Sequence, residues 1–292
     1  MASAGSPTVR RRRLAAEIKR LRGNRTGGDV ARSVGWSATK VSRAESGKES
    51  LPPIEIEKLI DFYGVAEPLR ARLLELAEDA AKRGWWDDYA DILTPNFTEF
   101  IGLEAEAAST LQWQSDVVPG LLQTDDYARL LDAAFQRIDP TTPPSTHERF
   151  LKVRAVRQER LTSEPPMRLS VVMDEAVLLR GIGDRGIMRA QLAKLADSAD
   201  MPNVEIQVLP LASNTGLVAA SFAILSFGPG GMPDARTLGD VVSAESLNTE
   251  LYVEGETDTY FYRLFFQALG EAALSPAESK TLIVTTMQRA WS

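Results

Sequence analysis

The stretch from Thr26 to Lys48 constrains the fold of this chain more than any other. Val30, Ala31 and Val34 fall on one face of a short segment, Gly35-Trp36 interrupts it, and Ser37 opens a second segment in which Val41 and Ala44 share a face. Apolar residues at this spacing read as amphipathic helix. Thr26 and Ser37 are of the type whose side-chain oxygens cap helix N-termini, and Gly47 is a C-terminal stop. Segments this short do not hold a helix alone in water, so the two must pack on each other and on neighbours. Ala31 is small enough to permit a close approach, and Gly35 allows the sharp turn between them. Ala38, Thr39, Ser42 and Arg43 are then left pointing outward on the second helix. A helix presented this way can enter the major groove of double-stranded DNA, its first turns reaching base edges while flanking groups hold phosphates.

Apolar spacing predicts the neighbours that complete such a bundle. Leu14, Ile18 and Leu21 recur at helical spacing over 12–22, and Gly23-Asn24 closes that segment. Beyond Leu51-Pro52-Pro53 a fourth helix is expected over 54–63 with Ile56, Leu59 and Ile60 inward, and a fifth over 67–83 with Leu69, Leu73, Leu74 and Leu76. Residues 12–83 are therefore expected to form an all-α, five-helix domain. Residues 1–9 are small and polar, and 1–11 read as a disordered arm that turns basic at its end. Arg10, Arg11, Arg12 and Arg13 either enter an adjacent minor groove or attract DNA diffusely from a tail.

Charge is divided unevenly. Residues 1–66 carry 13 Lys and Arg against 7 Asp and Glu, whereas the rest of the chain carries 20 against 33. A basic module attached to an acidic one is a pattern expected of nucleic-acid-binding proteins with a second function. There is no cysteine, so disulfides, thiolate metal sites and cysteine nucleophiles are excluded. No apolar run approaches the length of a membrane span, and the segment after Arg10–Arg13 is amphipathic rather than a signal-peptide core. The expected location is cytoplasmic, with no membrane association.

The second domain is expected to open at Gly84-Trp85-Trp86 and to span 84–292. A helical lead-in is predicted over 97–113, 124–137 and 146–161, with the Pro-rich stretch 140–144 between the last two. The period then changes: 169–173, 204–209, 222–227, 241–242 and 252–253 read as strands, and 187–200, 258–268 and 276–290 as helices. The whole chain is thus expected to be α+β, with a mixed α+β C-terminal domain whose sheet is not obviously parallel.

The segment from Gly28 to Lys48 resembles the phage-repressor (Cro-like, or xenobiotic-response-element) helix-turn-helix family, whose five helices match the spacing of residues 12–76. That resemblance places Ala38, Thr39, Ser42 and Arg43 where the family reads bases, and Lys40, Ser46 and Lys48 where it contacts phosphate. Arg43 is the strongest base reader of the four, because a guanidinium can bond guanine O6 and N7 together. Two positions depart from the pattern: the family's usual Gln at the start of the second helix is Gly27, and an apolar residue just before that helix is Arg25. The resemblance continues through Gly84-Trp85-Trp86, 100–109, Val118-Pro119-Gly120-Leu121-Leu122-Gln123-Thr124, Arg157-Gln158-Glu159-Arg160-Leu161 and Leu274-Ser275-Pro276-Ala277-Glu278. Together these are similar to actinobacterial helix-turn-helix regulators, often labelled antitoxin-like, whose C-terminal domain has no assigned biochemistry. The resemblance implies a small partner protein encoded by a neighbouring gene, which the acidity of the second domain suits if it is basic. A single small helix-turn-helix reads only a few base pairs, so a homodimer is expected. The alternative for the acidic domain is a small-molecule sensor, which its several tryptophans would suit.

Other motifs argue against an enzyme, a metal and a cofactor. Gly181-Ile182-Gly183-Asp184-Arg185-Gly186 fits G-x-G-x-x-G, but a dinucleotide site needs that loop directly after a strand, with an acid ending the next one. Here 174–180 intervenes, and the next strand ends without a carboxylate. His147 is the only histidine, and with no cysteine it supports neither a transition-metal site nor a catalytic triad. Asp87/Asp88 and Asp125/Asp126 sit at helix starts, where the helix dipole explains them. Arg154, Arg157 and Arg160 share a helical face and either pair with carboxylates or bind an anion.

Overall fold

A computed structural model describes residues 7–47, 51–138, 143–228, 239–246 and 250–292. The chain divides into two compact units. The first comprises the described residues up to 88 together with Thr98–Glu106; the second comprises Tyr89–Phe97 and the described residues from 107 onward.

The first unit is helical: α1 (Pro7–Arg22), α2 (Gly27–Val34), α3 (Ala38–Ser46), α4 (Pro53–Phe62), α5 (Leu69–Ala80) and the greater part of α6 (Pro95–Glu104). Leu14, Ile18, Val30, Ala31, Val41, Ala44, Ile56, Leu59, Ile60, Leu73 and Ala77 form its continuous core. All but Ala77 are positions the apolar spacing predicts as inward, whereas Leu21, Val34, Leu69, Leu74 and Leu76, also expected inward, are only partly buried against this core.

Two boundaries differ from expectation. The arm expected to be disordered over 1–11 is helical from Pro7, because Thr8 and Val9 are buried and give that extra turn something to pack on. The unit also extends past Gly84. Trp86 is buried within it, Asp87 Oδ2 accepts a 2.9 Å bond from the Gly84 amide, and Trp85 meets Trp86 edge-on with ring centroids 5.8 Å apart. Gly102 of α6 lies so close to Thr8 of α1 that a Cβ there would overlap the threonine side chain. Only glycine lets the two helices approach this closely.

The second unit is built on one six-stranded sheet: β1 (Ser109–Gln114), β2 (Arg168–Asp174), β3 (Val204–Leu209), β4 (Phe222–Ser226), β5 (Val241–Glu245) and β6 (Glu250–Glu254), in the order β3-β2-β1-β4-β5-β6. β1, β2 and β3 are parallel, and β4, β5 and β6 continue antiparallel from β1. Parallel neighbours need crossover connections. These are supplied by α7 (Asp125–Gln136) and α8 (Pro144–Gln158) between β1 and β2, and by α9 (Ala176–Leu179) and α10 (Arg185–Ser198) between β2 and β3. α11 (Glu256–Ala272) and α12 (Pro276–Arg289) end the chain. The fold is α+β, as the sequence predicts.

The helix expected over 97–113 is corrected: α6 stops at Glu104, and Ser109–Gln114 is instead the strand β1 between β2 and β4. The inner face of α11 meets the sheet through Tyr262, Phe265, Phe266 and Leu269, which pack with Trp113, Phe222 and Ile224. A polar link fixes its rotation. Arg263 Nη2 donates to Ser226 Oγ at 2.7 Å, Ser226 Oγ donates to Asp240 Oδ1 at 2.7 Å, and Arg263 Nε closes the ring on Asp240. Ser226 and Asp240 are buried, so each polar atom needs the others.

Candidate nucleic-acid interface

The interface is assembled from caps and core contacts in the first unit. Thr26 Oγ accepts from the Asp29 amide at 3.1 Å, and Ser37 Oγ accepts from the Lys40 amide at 3.1 Å. Each satisfies an amide that its helix cannot. Gly35 sits at φ 72°, in the left-handed region that glycine adopts without strain, and Trp36 N bonds back to Ala31 O at 2.8 Å. The chain therefore turns abruptly between α2 and α3. Val41 and Ala44 are buried, which fixes the rotation of α3 about its axis.

That rotation leaves Ala38, Thr39, Ser42, Arg43 and Ser46 exposed on α3. The structure thus brings together all four expected base readers and one expected phosphate contact on one helix. Apart from Arg43 the face is small and uncharged, so a groove wall can approach it closely. Ser46 Oγ is 3.1 Å from Arg43 O, which ties the hydroxyl to its own helix.

The remaining expected contacts are placed differently. Lys40 Nζ is held 2.5 Å from Glu55 Oε1 of α4 and lies 4.7 Å from the Trp36 ring centroid, so it clamps α3 to α4 and must leave Glu55 to reach a phosphate. Arg10 pairs with Asp79, Arg11 Nε donates to Gly47 O at 2.7 Å, and Arg12 pairs with Glu99 at 2.6 Å while buried. Burial pushes the Arg11 guanidinium below its usual pKa, against the opposing pull of Glu99. The expectation that Arg10, Arg11 and Arg12 reach DNA from a loose arm is thereby corrected: their carboxylate and carbonyl partners build α1 into the unit. Arg13 belongs to the same helix and is half-buried. Lys48 lies outside the described residues.

Sequence reasoning missed Glu55 and the Gly47 carbonyl as the groups that hold Lys40 and Arg11. Nothing local signals them, since the pairings join positions far apart in the chain. Arg25, one of the two departures from the family pattern, lies 5.9 Å from the ring centroids of both Phe62 and Tyr63. A guanidinium over aromatic faces covers apolar surface much as an aliphatic residue does, so this departure is a substitution of like function. Gly27, the other, opens α2 with no side chain to offer a phosphate.

The motifs set aside in the second unit have structural roles. α9 separates β2 from the Gly181–Gly186 loop, and Asp184 Oδ1 caps α10 by accepting from the Ile187 amide at 2.9 Å. Arg154 approaches Asp132 at 3.7 Å, Arg157 lies 5.3 Å from the Phe97 ring centroid, and Arg160 bonds Ala107 O and Ser163 Oγ. These arginines share a face yet each serves different partners. Burial raises the Asp132 carboxyl pKa, against the lowering influence of Arg154. Trp113 is buried and donates to Ala219 O at 3.0 Å, a packing role. Among the described residues no group of three or more His, Asp or Glu side chains is arranged to hold a metal ion, and no helix is long and apolar enough to cross a membrane.

Comparison with known proteins finds two matching families. Residues 13–73 match a family described as a helix-turn-helix domain, and residues 97–285 match one described as a domain of unknown function (DUF5753). No curated protein and no solved structure matches the chain. Residues 13–73 are thus a helix-turn-helix domain of the kind found in DNA-binding regulators. The second match covers well over half of the sequence, and the chain belongs to that DUF5753 family.

Proposed function

We propose that this protein is a sequence-specific transcription regulator of the Cro/xenobiotic-response-element type that inserts α3 into the major groove of double-stranded DNA. The observation that carries this reading is the outward face of α3, where Ala38, Thr39, Ser42 and Arg43 are exposed together while Val41 and Ala44 anchor the helix from behind. Arg43 reads guanine, and Ala38 and Thr39 meet thymine methyls or make single hydrogen bonds. Ser46 and Lys48 hold phosphate; Lys40 joins them if DNA displaces Glu55. A single such helix reads few base pairs, so the protein binds a pseudo-palindromic site as a homodimer, with half-sites about one helical turn apart.

The acidic second unit regulates the first by binding a small basic protein, as the antitoxin-like resemblance suggests. Its excess of carboxylates suits a basic surface. Coupling requires only that the partner favour one state of the DNA-binding protein. The test is selection of duplexes from a random pool with the full-length protein, followed by titration of the neighbouring-gene product into the complex. A pseudo-palindromic consensus and altered affinity at saturating partner are expected. Recovery of no consensus would refute the DNA reading, and unchanged affinity would refute the regulatory one.

A further inference from the structure

α11 is apolar on both sides. Its inner side packs on the sheet through Tyr262, Phe265, Phe266 and Leu269. On the opposite side Tyr260, Phe261 and Leu264 are 59%, 66% and 46% exposed. Positions i, i+1 and i+4 make a contiguous stripe along a helix. A helix that is apolar all round belongs in an interior, and a bare stripe of aromatic and aliphatic side chains is costly to leave in water. Leu251 on the adjoining strand β6 is also exposed, at 58%. Acidic residues flank the stripe at both ends: Glu256 and Asp258 before it, Glu271 after it. The one cation of the helix, Arg263, is committed to Asp240 and Ser226.

The charges decide what covers this face. A second copy would meet it through a two-fold axis, and a two-fold contact is made by the same patch on both partners. Paired antiparallel about Leu264, Glu256 and Asp258 would approach the other copy's Glu271; paired parallel, each acidic end would meet itself. Both arrangements set carboxylate against carboxylate, which costs affinity. A helix with an apolar stripe and Lys or Arg at both ends meets neither penalty. We infer that the outer face of α11 is the docking site for an amphipathic helix of a partner protein, apolar along its centre and basic at its ends.

This inference deepens the partner-binding reading of the acidic unit and rests on it, and its test involves no DNA, so its failure is separable from failure of the regulatory reading. Three labelled peptides of about 16 residues are titrated with the full-length protein by fluorescence anisotropy at about 0.15 M salt. The first carries a Leu/Phe stripe with Lys ends, the second the same stripe with Glu ends, and the third the first peptide's composition scrambled to destroy the stripe. The first should bind about tenfold or more tightly than either other. Tyr260→Ser, Phe261→Ser and Leu264→Ser combined should abolish that advantage while leaving the circular dichroism and thermal melting unchanged. Because a triple substitution can disturb folding, a charge reversal supplies an independent arm: Glu256→Lys, Asp258→Lys and Glu271→Lys should switch preference to the Glu-ended peptide. Equal binding of the scrambled peptide would reduce the site to diffuse acidity and overturn the inference. So would an unswitched preference, or self-association of the wild type that the triple Ser variant abolishes.

Discussion

α3 and α11 are both fixed from behind by buried side chains, and both turn a distinct face outward, yet the two faces are chemical opposites. α3 shows Ala38, Thr39, Ser42 and Arg43, a methyl and two small hydroxyl side chains beside one guanidinium. α11 shows Tyr260, Phe261 and Leu264 between carboxylates. A polar groove lined with acceptors and phosphates suits the first and would desolvate the second without return. The contrast teaches that what a helix recognises is set less by its fold than by which residues remain once the core has taken its share. In α3 the core takes two positions; in α11 it takes a whole side and still leaves aromatics over.

The largest expected effect that separates the two faces is salt. DNA binding by a dimer in which Lys40 and Lys48 of each protomer meet phosphate, about four cationic contacts, should weaken by about 10²-fold between roughly 50 and 200 mM salt. Docking on α11 draws on apolar burial as well and should lose far less over the same range, which parallel titrations would show. Equal slopes would remove the distinction.

Next in size is the close approach that brings α6 into the DNA-binding unit. Gly102→Ala drives a methyl into Thr8 and should destabilise the protein by about 1–3 kcal/mol in chemical denaturation. Thr8→Ala should recover part of the loss, whereas additive effects would mean that the two side chains do not meet. Ser37→Ala removes the cap of α3 and should cost about 0.5–2 kcal/mol. It should also weaken DNA binding, because the recognition face begins at the next residue. The corresponding change in the second unit, Ser275→Ala at the start of α12, should leave DNA binding untouched.

The smallest effect is a titration. The Ser275 hydroxyl and amide hold the Glu278 carboxyl below the usual glutamate range. A lowered pKa in the folded state stabilises above the unfolded value, and that stabilisation fades as pH falls through the folded one. Carboxyl chemical shifts followed by NMR should place Glu278 below free glutamate and return it toward normal in Ser275→Ala.

How much of this was legible in the sequence differs between the units for a physical reason. α2 through α5 are defined by local spacing, and α2 and α3 also by caps from the residue before each helix, so Thr26, Gly35, Ser37 and Gly47 were readable in place. β1 was not, because it is made by partners distant in sequence: Leu111 sits between Ser170 and Ile224. In isolation its apolar and polar residues continue the helical pattern of α6. The fate of Arg10, Arg11 and Arg12 was hidden in the same way, by Asp79, Gly47 and Glu99. Four arginines in a row look like a tail for DNA until the acceptors that hold them are known. The outer stripe of α11 was present as Tyr260-Phe261 and Leu264, but apolar residues read as core until a structure shows which of them the core leaves out.

The measurement that tests the central claim most directly is the affinity of full-length Arg43→Ala for the selected duplex and for random duplex, set beside the triple Ser variant of α11. If α3 reads bases, Arg43→Ala should lose about 1–3 kcal/mol on the selected sequence and little on random DNA, while the α11 variant should match the wild type on both. Equal losses on the two duplexes, or none on either, would contradict it.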